Sequence, residues 1–139
     1  MRLMSYAVLF LAGWLYVGII EYLYHRFLLH SGHHAVHNAH HEAFFTHAYD
    51  DGRLLNHWAF VAVLLHLIAF FALLPRSVAL ILSLSTLTYL AALELGHAWI
   101  HGHPKSWFAR WHIAHHRNPR HNFNVFLPTW DYLLGTRRV

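Results

Sequence analysis

"EYLYHRFLLHSGHHAVHNAHHEAF", Glu21 to Phe44, places seven histidines within the seventeen positions from His25 to His41. It begins where a long apolar run stops. Ionisable side chains are costly in a bilayer and mark functional sites when they occur there. A chain that passes from an apolar run straight into imidazoles therefore raises the question of what they hold.

The surrounding sequence answers as a membrane protein. The chain has 139 residues, 57% hydrophobic and only 12% charged, against roughly 25% charged in a soluble domain. One domain over 1–139 is expected, since no Gly/Ser- or Pro-rich linker divides the chain. Its net charge is +4, but basic residues beside apolar spans set topology, so no nucleic-acid partner is expected. There is no cysteine, which excludes disulfides, thiolate iron–sulfur clusters and Cys-type zinc sites.

Three apolar segments stand out: Ser5–Leu23, Trp58–Leu74, and Val78–Leu93, the last extendable to Ile100. A membrane helix needs roughly 20 mostly apolar residues. The second is at the short end and carries His66. Pro75-Arg76-Ser77 leaves room only for a tight turn, so the last two segments read as an antiparallel hairpin. The first runs on without a small-residue cleavage site, so it reads as a span rather than a signal peptide. The expected fold is all-α, an integral membrane bundle of about three spans.

Three spans put the Tyr24–His57 loop and the tail after Gly96 on one side. That side carries Arg26, Arg53, Lys105, Arg110, Arg117, Arg120, Arg137 and Arg138, and the other only Arg2 and Arg76. Lys and Arg accumulate in the cytoplasm, so the N-terminus is expected outside and the C-terminus inside. The loop Tyr49-Asp50-Asp51-Gly52 is the clearest turn signal. Trp99, Trp107, Trp111 and Trp130 are expected at the membrane interface. The small residues Ser83, Ser85, Thr86, Thr88, Ala91 and Ala92 are expected to let helices approach.

Ten histidines fall into four boxes. His25 and His30 form H-x4-H, and His37, His40 and His41 form H-x-x-H-H. His97 and His101 form H-x3-H, and His112, His115 and His116 form a second H-x-x-H-H. Residues i, i+3 and i+4 share a helix face, so each H-x-x-H-H is expected to aim three rings one way. Residues i and i+5 diverge by roughly 140° on an ideal helix, so His25 and His30 must approach a metal from a helix end or bend. Ten imidazoles are too many for one ion and supply about five to each of two. Nitrogen donors suit Fe, Zn, Cu or Ni rather than Mg or Ca. His33, His34, His47, His103 and His121 lie outside the boxes, and His57 and His66 read as interface and packing residues.

The order of these boxes resembles the membrane fatty acid hydroxylase/sterol desaturase superfamily. "EYLYHRFLLH" is similar to the first box of fatty acid 2-hydroxylases, and "NFNVFLPTWDYLLGT", Asn122–Thr136, resembles the superfamily's C-terminal signature. The resemblance implies an all-α membrane bundle under a cytosolic histidine-rich di-metal cap, a di-iron enzyme that uses O2 and two electrons to hydroxylate or desaturate a lipid C–H bond. It carries the metal-ligand role to His25, His30, His37, His40, His41, His97, His101, His112, His115 and His116. The six residues between His30 and His37 look more like bacterial carotenoid β-ring hydroxylases, which leaves acyl, sterol and carotenoid substrates open.

Such chemistry needs a redox metal. Zinc has none, so zinc here would be a non-catalytic substitute for iron. Ligand imidazoles need acceptors for their second N–H; Glu94 is the first choice, then Glu21, Glu42 and Asp131. The lipid is expected to enter from the bilayer between the spans, lined by apolar residues of the second and third. The chain is too short for a fused haem domain, so a separate ferredoxin or cytochrome b5-like donor is expected. A membrane metal-binding or metal-transport protein is the alternative of another class, and a purely structural membrane protein a third.

Overall fold

A computed structural model describes residues 3–32, 34–46 and 57–138. All its elements are helical. In chain order they are α1 (Leu3–Leu23), a π-helical segment (Tyr24–Leu29), α2 (Ala35–Thr46), α3 (His57–Leu73), α4 (Arg76–Gly102), α5 (Arg110–Arg117) and α6 (Thr129–Leu133). Two helices, Leu3–Leu29 and Arg76–Gly102, are long and apolar enough to cross a membrane; His57–Leu73 is apolar but shorter. The turn between α3 and α4 is as tight as expected. Pro75 opens α4, where its missing N–H costs nothing, and its carbonyl receives Val78 N at 2.9 Å.

α1 packs chiefly on α4. The small residues make this possible, since Gly13 leaves space that the Ser85 side chain fills. Ser85 Oγ donates to Phe10 O at 2.8 Å and Trp14 Nε1 to Thr88 Oγ1 at 3.1 Å. Ser83, Ser85 and Thr86 are buried, whereas Ala91 is exposed and takes no part. Near the histidine end a buried cluster of Val17, Tyr89, Leu93, Ile100, Ala109, Ile113 and Val125 joins α1, α4, α5 and the tail.

The tail after α5 doubles back along this pair. Trp130 Nε1 donates to Leu15 O at 2.9 Å, and Trp111 Nε1 to Val125 O at 3.1 Å. Trp111 is thus not an interfacial anchor: it is buried, because its ring and N–H both find partners inside the cap. Trp99 and Trp107 are exposed. The expected Tyr49–Gly52 turn lies outside the described residues.

Candidate metal centre

The π-helical segment solves the spacing problem of the first box. A π-helix bonds i to i+5, so residues that diverge on an α-helix are brought into register. His25 and His30 stack with centroids 5.1 Å apart and an interplanar angle of 15°. His30 is itself the residue that ends the segment, so a helix end also contributes. The widened winding had no distinct signal in the sequence beyond the x4 spacing.

All ten box histidines converge. They form two groups, His25/His30/His37/His41/His115 and His40/His97/His101/His112/His116, and within each the candidate ligand nitrogens all lie within 4.8 Å of one another. The H-x4-H box serves the first group and the H-x3-H box the second. The two H-x-x-H-H boxes do not aim all their rings at one point, as expected, but straddle both groups. His37 and His41 face the first while His40 faces the second; His112 and His116 face the second while His115 faces the first. A 100° step per residue fans three rings widely enough to reach two centres side by side. The groups touch where the His41 and His116 rings lie 4.4 Å apart.

The nitrogen geometry calls for a cation. Nε2 of His97, His101 and His112 form a triangle with sides of 2.9, 3.1 and 3.2 Å. A ring nitrogen carries either a proton or a lone pair. Three nitrogens in mutual contact therefore always include a donor–donor or acceptor–acceptor pair. One cation among them receives every lone pair at once. Metal–nitrogen bonds of about 2.0–2.1 Å place neighbouring nitrogens ~2.9–3.4 Å apart, which matches. In the first group the buried Nε2 atoms of His25 and His41 have no hydrogen-bond partner, as expected of lone pairs kept for a metal.

His30, His37, His41, His112, His115 and His116 are held neutral. Burial, reinforced by neighbouring imidazoles, lowers His37 to about 2 and His41 and His115 to about 3. Burial likewise lowers His30, and His112 and His116 more strongly.

For His25 and His115 the acceptors of the second ring N–H are backbone carbonyls rather than carboxylates. His25 Nδ1–H donates to the backbone carbonyl of Phe123 at 2.5 Å, and His115 Nδ1–H to that of His121 at 2.6 Å. Glu21 and Asp131 instead hold the loop that offers these carbonyls. Asp131 receives Phe123 N at 2.8 Å, Asn124 N at 2.6 Å and Thr136 Oγ1 at 2.7 Å. Glu21 receives Val125 N at 2.7 Å, Asn124 Nδ2 at 2.8 Å and the Tyr89 hydroxyl at 2.5 Å. Burial raises the Asp131 pKa. Glu42 is exposed on α2 and Glu94 half-buried on α4. Asn124 and Tyr89 were not singled out by sequence reasoning; the N-F-N of the tail signature was the available hint.

The off-box histidines among the described residues stay out of both groups. His34 meets Tyr24 edge-on, and His103 turns back to donate to Trp99 O at 3.0 Å. His121 contributes its backbone. His33 and His47 lie outside the described residues.

Beneath the first group, α1, α3 and α4 enclose an apolar cavity of about 110 Å³. His25 reaches its wall, together with Val17, Ile20, Leu29, Ala59, Ala62, Leu90 and Leu93. His66, expected as a packing residue, also lines it.

A fatty acid hydroxylase family model matches residues 10–136. The chain belongs to the fatty acid hydroxylase family. This match runs from within α1 through α6 and agrees with the fatty acid hydroxylase/sterol desaturase resemblance read from the boxes. No curated protein and no solved structure matches significantly. Family membership, the apolar helices and the histidine groups together mark a membrane protein of lipid hydroxylase or desaturase type with metal-binding capacity.

Proposed function

We propose that this protein is a di-iron, O2-dependent lipid oxygenase, in which each histidine group holds one ion. The observation that carries the reading is the meeting of ten imidazoles in two adjacent groups of five at the end of an apolar cavity. Bound iron would supply O2 activation and C–H oxidation, which no side chain of this chain can perform. The balanced reaction is R–H + O2 + 2e⁻ + 2H⁺ giving R–OH + H2O, or a desaturated product with two waters.

The protein's part is placement. Neutral rings offer lone pairs without adding negative charge. The cavity receives an apolar chain or ring from the bilayer and excludes water from the approach to His25. Electrons come from a separate ferredoxin or cytochrome b5-like carrier, since the chain has no cysteine to hold a cluster. The apolar lining favours an acyl or sterol-like lipid; the short His30–His37 spacing favours a carotenoid ring as the second reading. The site sits on the cytoplasmic face of a bacterial inner or ER-type membrane, with His57–Leu73 as a third, short span.

Mass spectrometry of lipids and pigments from cells expressing the protein, against a His115→Ala control, tests this. An O2-dependent product shifted by one oxygen atom or by loss of two hydrogens, absent from the control, is expected. Identical lipid and pigment profiles would contradict the reading.

A further inference from the structure

Several polar side chains along the apolar cavity are already engaged. Glu21 receives Val125 N, Asn124 Nδ2 and the Tyr89 hydroxyl. Thr86 Oγ1 donates to Leu82 O at 2.9 Å. His25 belongs to the first histidine group, and Tyr24 precedes it at the cap end. Tyr16 of α1 and His66 of α3 differ from these. Both line the cavity, with ring centroids 6.2 Å apart. Among the described residues neither the Tyr16 hydroxyl nor His66 Nε2 has a hydrogen-bond partner.

The one bond His66 makes fixes what it can still take. Its Nδ1 donates to Ala62 O, one helical turn back, at 2.8 Å. A carbonyl oxygen only accepts, so the proton sits on Nδ1, and the neutral imidazole keeps a lone pair on Nε2. Nε2 is then an acceptor, whereas the Tyr16 hydroxyl can donate. A hydroxyl answers both at one point: it gives its proton to Nε2 and accepts the proton of the tyrosine. A carboxylate, ketone or ether has no proton to give, and an alkyl end satisfies neither group. Polar atoms left unpaired in an apolar surrounding are costly, and an ionisable residue within a membrane helix marks a place where a partner binds.

Position along the cavity adds a constraint. Tyr16 and His25 are nine residues apart on the continuous Leu3–Leu29 helix, about 13 Å at a rise of 1.5 Å per residue. His66 lies beside Tyr16, at that deeper level. A hydroxyl held there leaves the rest of its molecule to run along the apolar lining toward His25.

We propose that Tyr16 and His66 form a hydroxyl-recognition site at the deep end of the cavity, which selects a lipid with a free hydroxyl and presents its opposite end to the histidine groups. The inference rests on the lipid-oxygenase reading above and names its substrate class. Long-chain alcohols, sterols and hydroxylated carotenoids share the chemistry.

The test uses the full chain in lipid nanodiscs doped with hexadecan-1-ol, cholesterol or β-cryptoxanthin, each compared with its own methyl ether. The readout is thermal unfolding against probe mole fraction, since a ligand that binds the folded state raises the midpoint. At least one alcohol is expected to stabilise at about tenfold lower mole fraction than its ether, and the pair that does so identifies the carbon skeleton. His66→Leu should bring that alcohol to within about threefold of its ether, and Tyr16→Phe should reduce the preference, both with metal content unchanged. Should His66→Leu fail to fold, the wild-type comparison together with Tyr16→Phe decides. No preference in any pair, or a preference unchanged in the variants, would overturn the inference. So would variants that lower stability alone, the result expected if Tyr16 and His66 served only to pair with each other. A preserved alcohol preference without any O2-dependent product in cells would instead overturn the oxygenase reading and leave the hydroxyl site standing.

Discussion

The histidine cap and α3 hold their side chains in opposite ways. In the cap, His25, His37, His40, His97, His112, His115 and His116 are all buried, and a hydrogen-bonded loop steadies two of them. Along α3 only Ala59 is buried, and Phe60, Leu64, Leu65, Ile68 and Phe71 face outward. A metal centre needs its donors placed to a fraction of an ångström, so the chain spends its polar contacts there. A helix with an exposed apolar outer face needs only apolar bulk there, and its inner face, Ala59, Ala62, Val63 and His66, forms the wall of the cavity. Substitutions in the cap should therefore cost metal, and those in α3 should change lipid handling with metal retained.

The largest effect is expected from the rings that tie the groups together. His40→Ala, His41→Ala, His97→Ala, His115→Ala and His116→Ala should each reduce product by more than about 100-fold, beyond what losing an outer hydrogen-bond partner costs, and each should lose bound metal. His34→Ala and His103→Ala should retain both. A graded loss that ignored position would indicate a loose histidine buffer instead. Metal analysis and product assays on the seven variants separate the outcomes.

Acid should reach His37, His41 and His115 without mutation. Above pH 6.5, their ordinary value, these rings are neutral in folded and unfolded chain alike, and stability does not respond. Below it the unfolded chain takes up protons that the folded cap refuses, because burial holds His37 near 2 and His41 and His115 near 3. Folded stability and metal retention are therefore lost progressively as pH falls from about 6.5 toward 3. Dialysis at stepped pH followed by metal analysis checks this; retention unchanged down to pH 4 would contradict it.

On the α3 side, Ala62→Phe should fill the cavity and lower product about tenfold or more while both ions stay bound. If product and metal fell together, the cavity would not be the lipid's route. A smaller effect, on stability alone, is expected at the α4–tail contact. A Cβ on Gly96 would lie 2.7 Å from the Phe126 ring, so Gly96→Ala should cost about 1–3 kcal/mol in thermal unfolding.

Much of this division could be read in the sequence. Apolar length located α1 and α4, the proline turn located the α3–α4 connection, and box spacing named the ten rings that converge. Three things could not be read. The straddling of the H-x-x-H-H boxes depends on how α2 and α5 dock, which no local spacing encodes. The π winding at Tyr24–Leu29 has no distinct signature in the residues that adopt it. The acceptors of His25 and His115 are backbone carbonyls, and a carbonyl exists at every residue, so composition cannot single one out. Asn122 was another silent case: its left-handed backbone, φ 58°, is held by its side chain bonding Arg138 O at 2.6 Å and Arg138 N at 2.7 Å.

The most direct measurement is the metal content of the full chain purified without chelator, by elemental analysis against quantified protein. Two metal ions per chain are expected, with iron the ion that supports product formation. A reproducible value of zero or one would contradict the two-group centre.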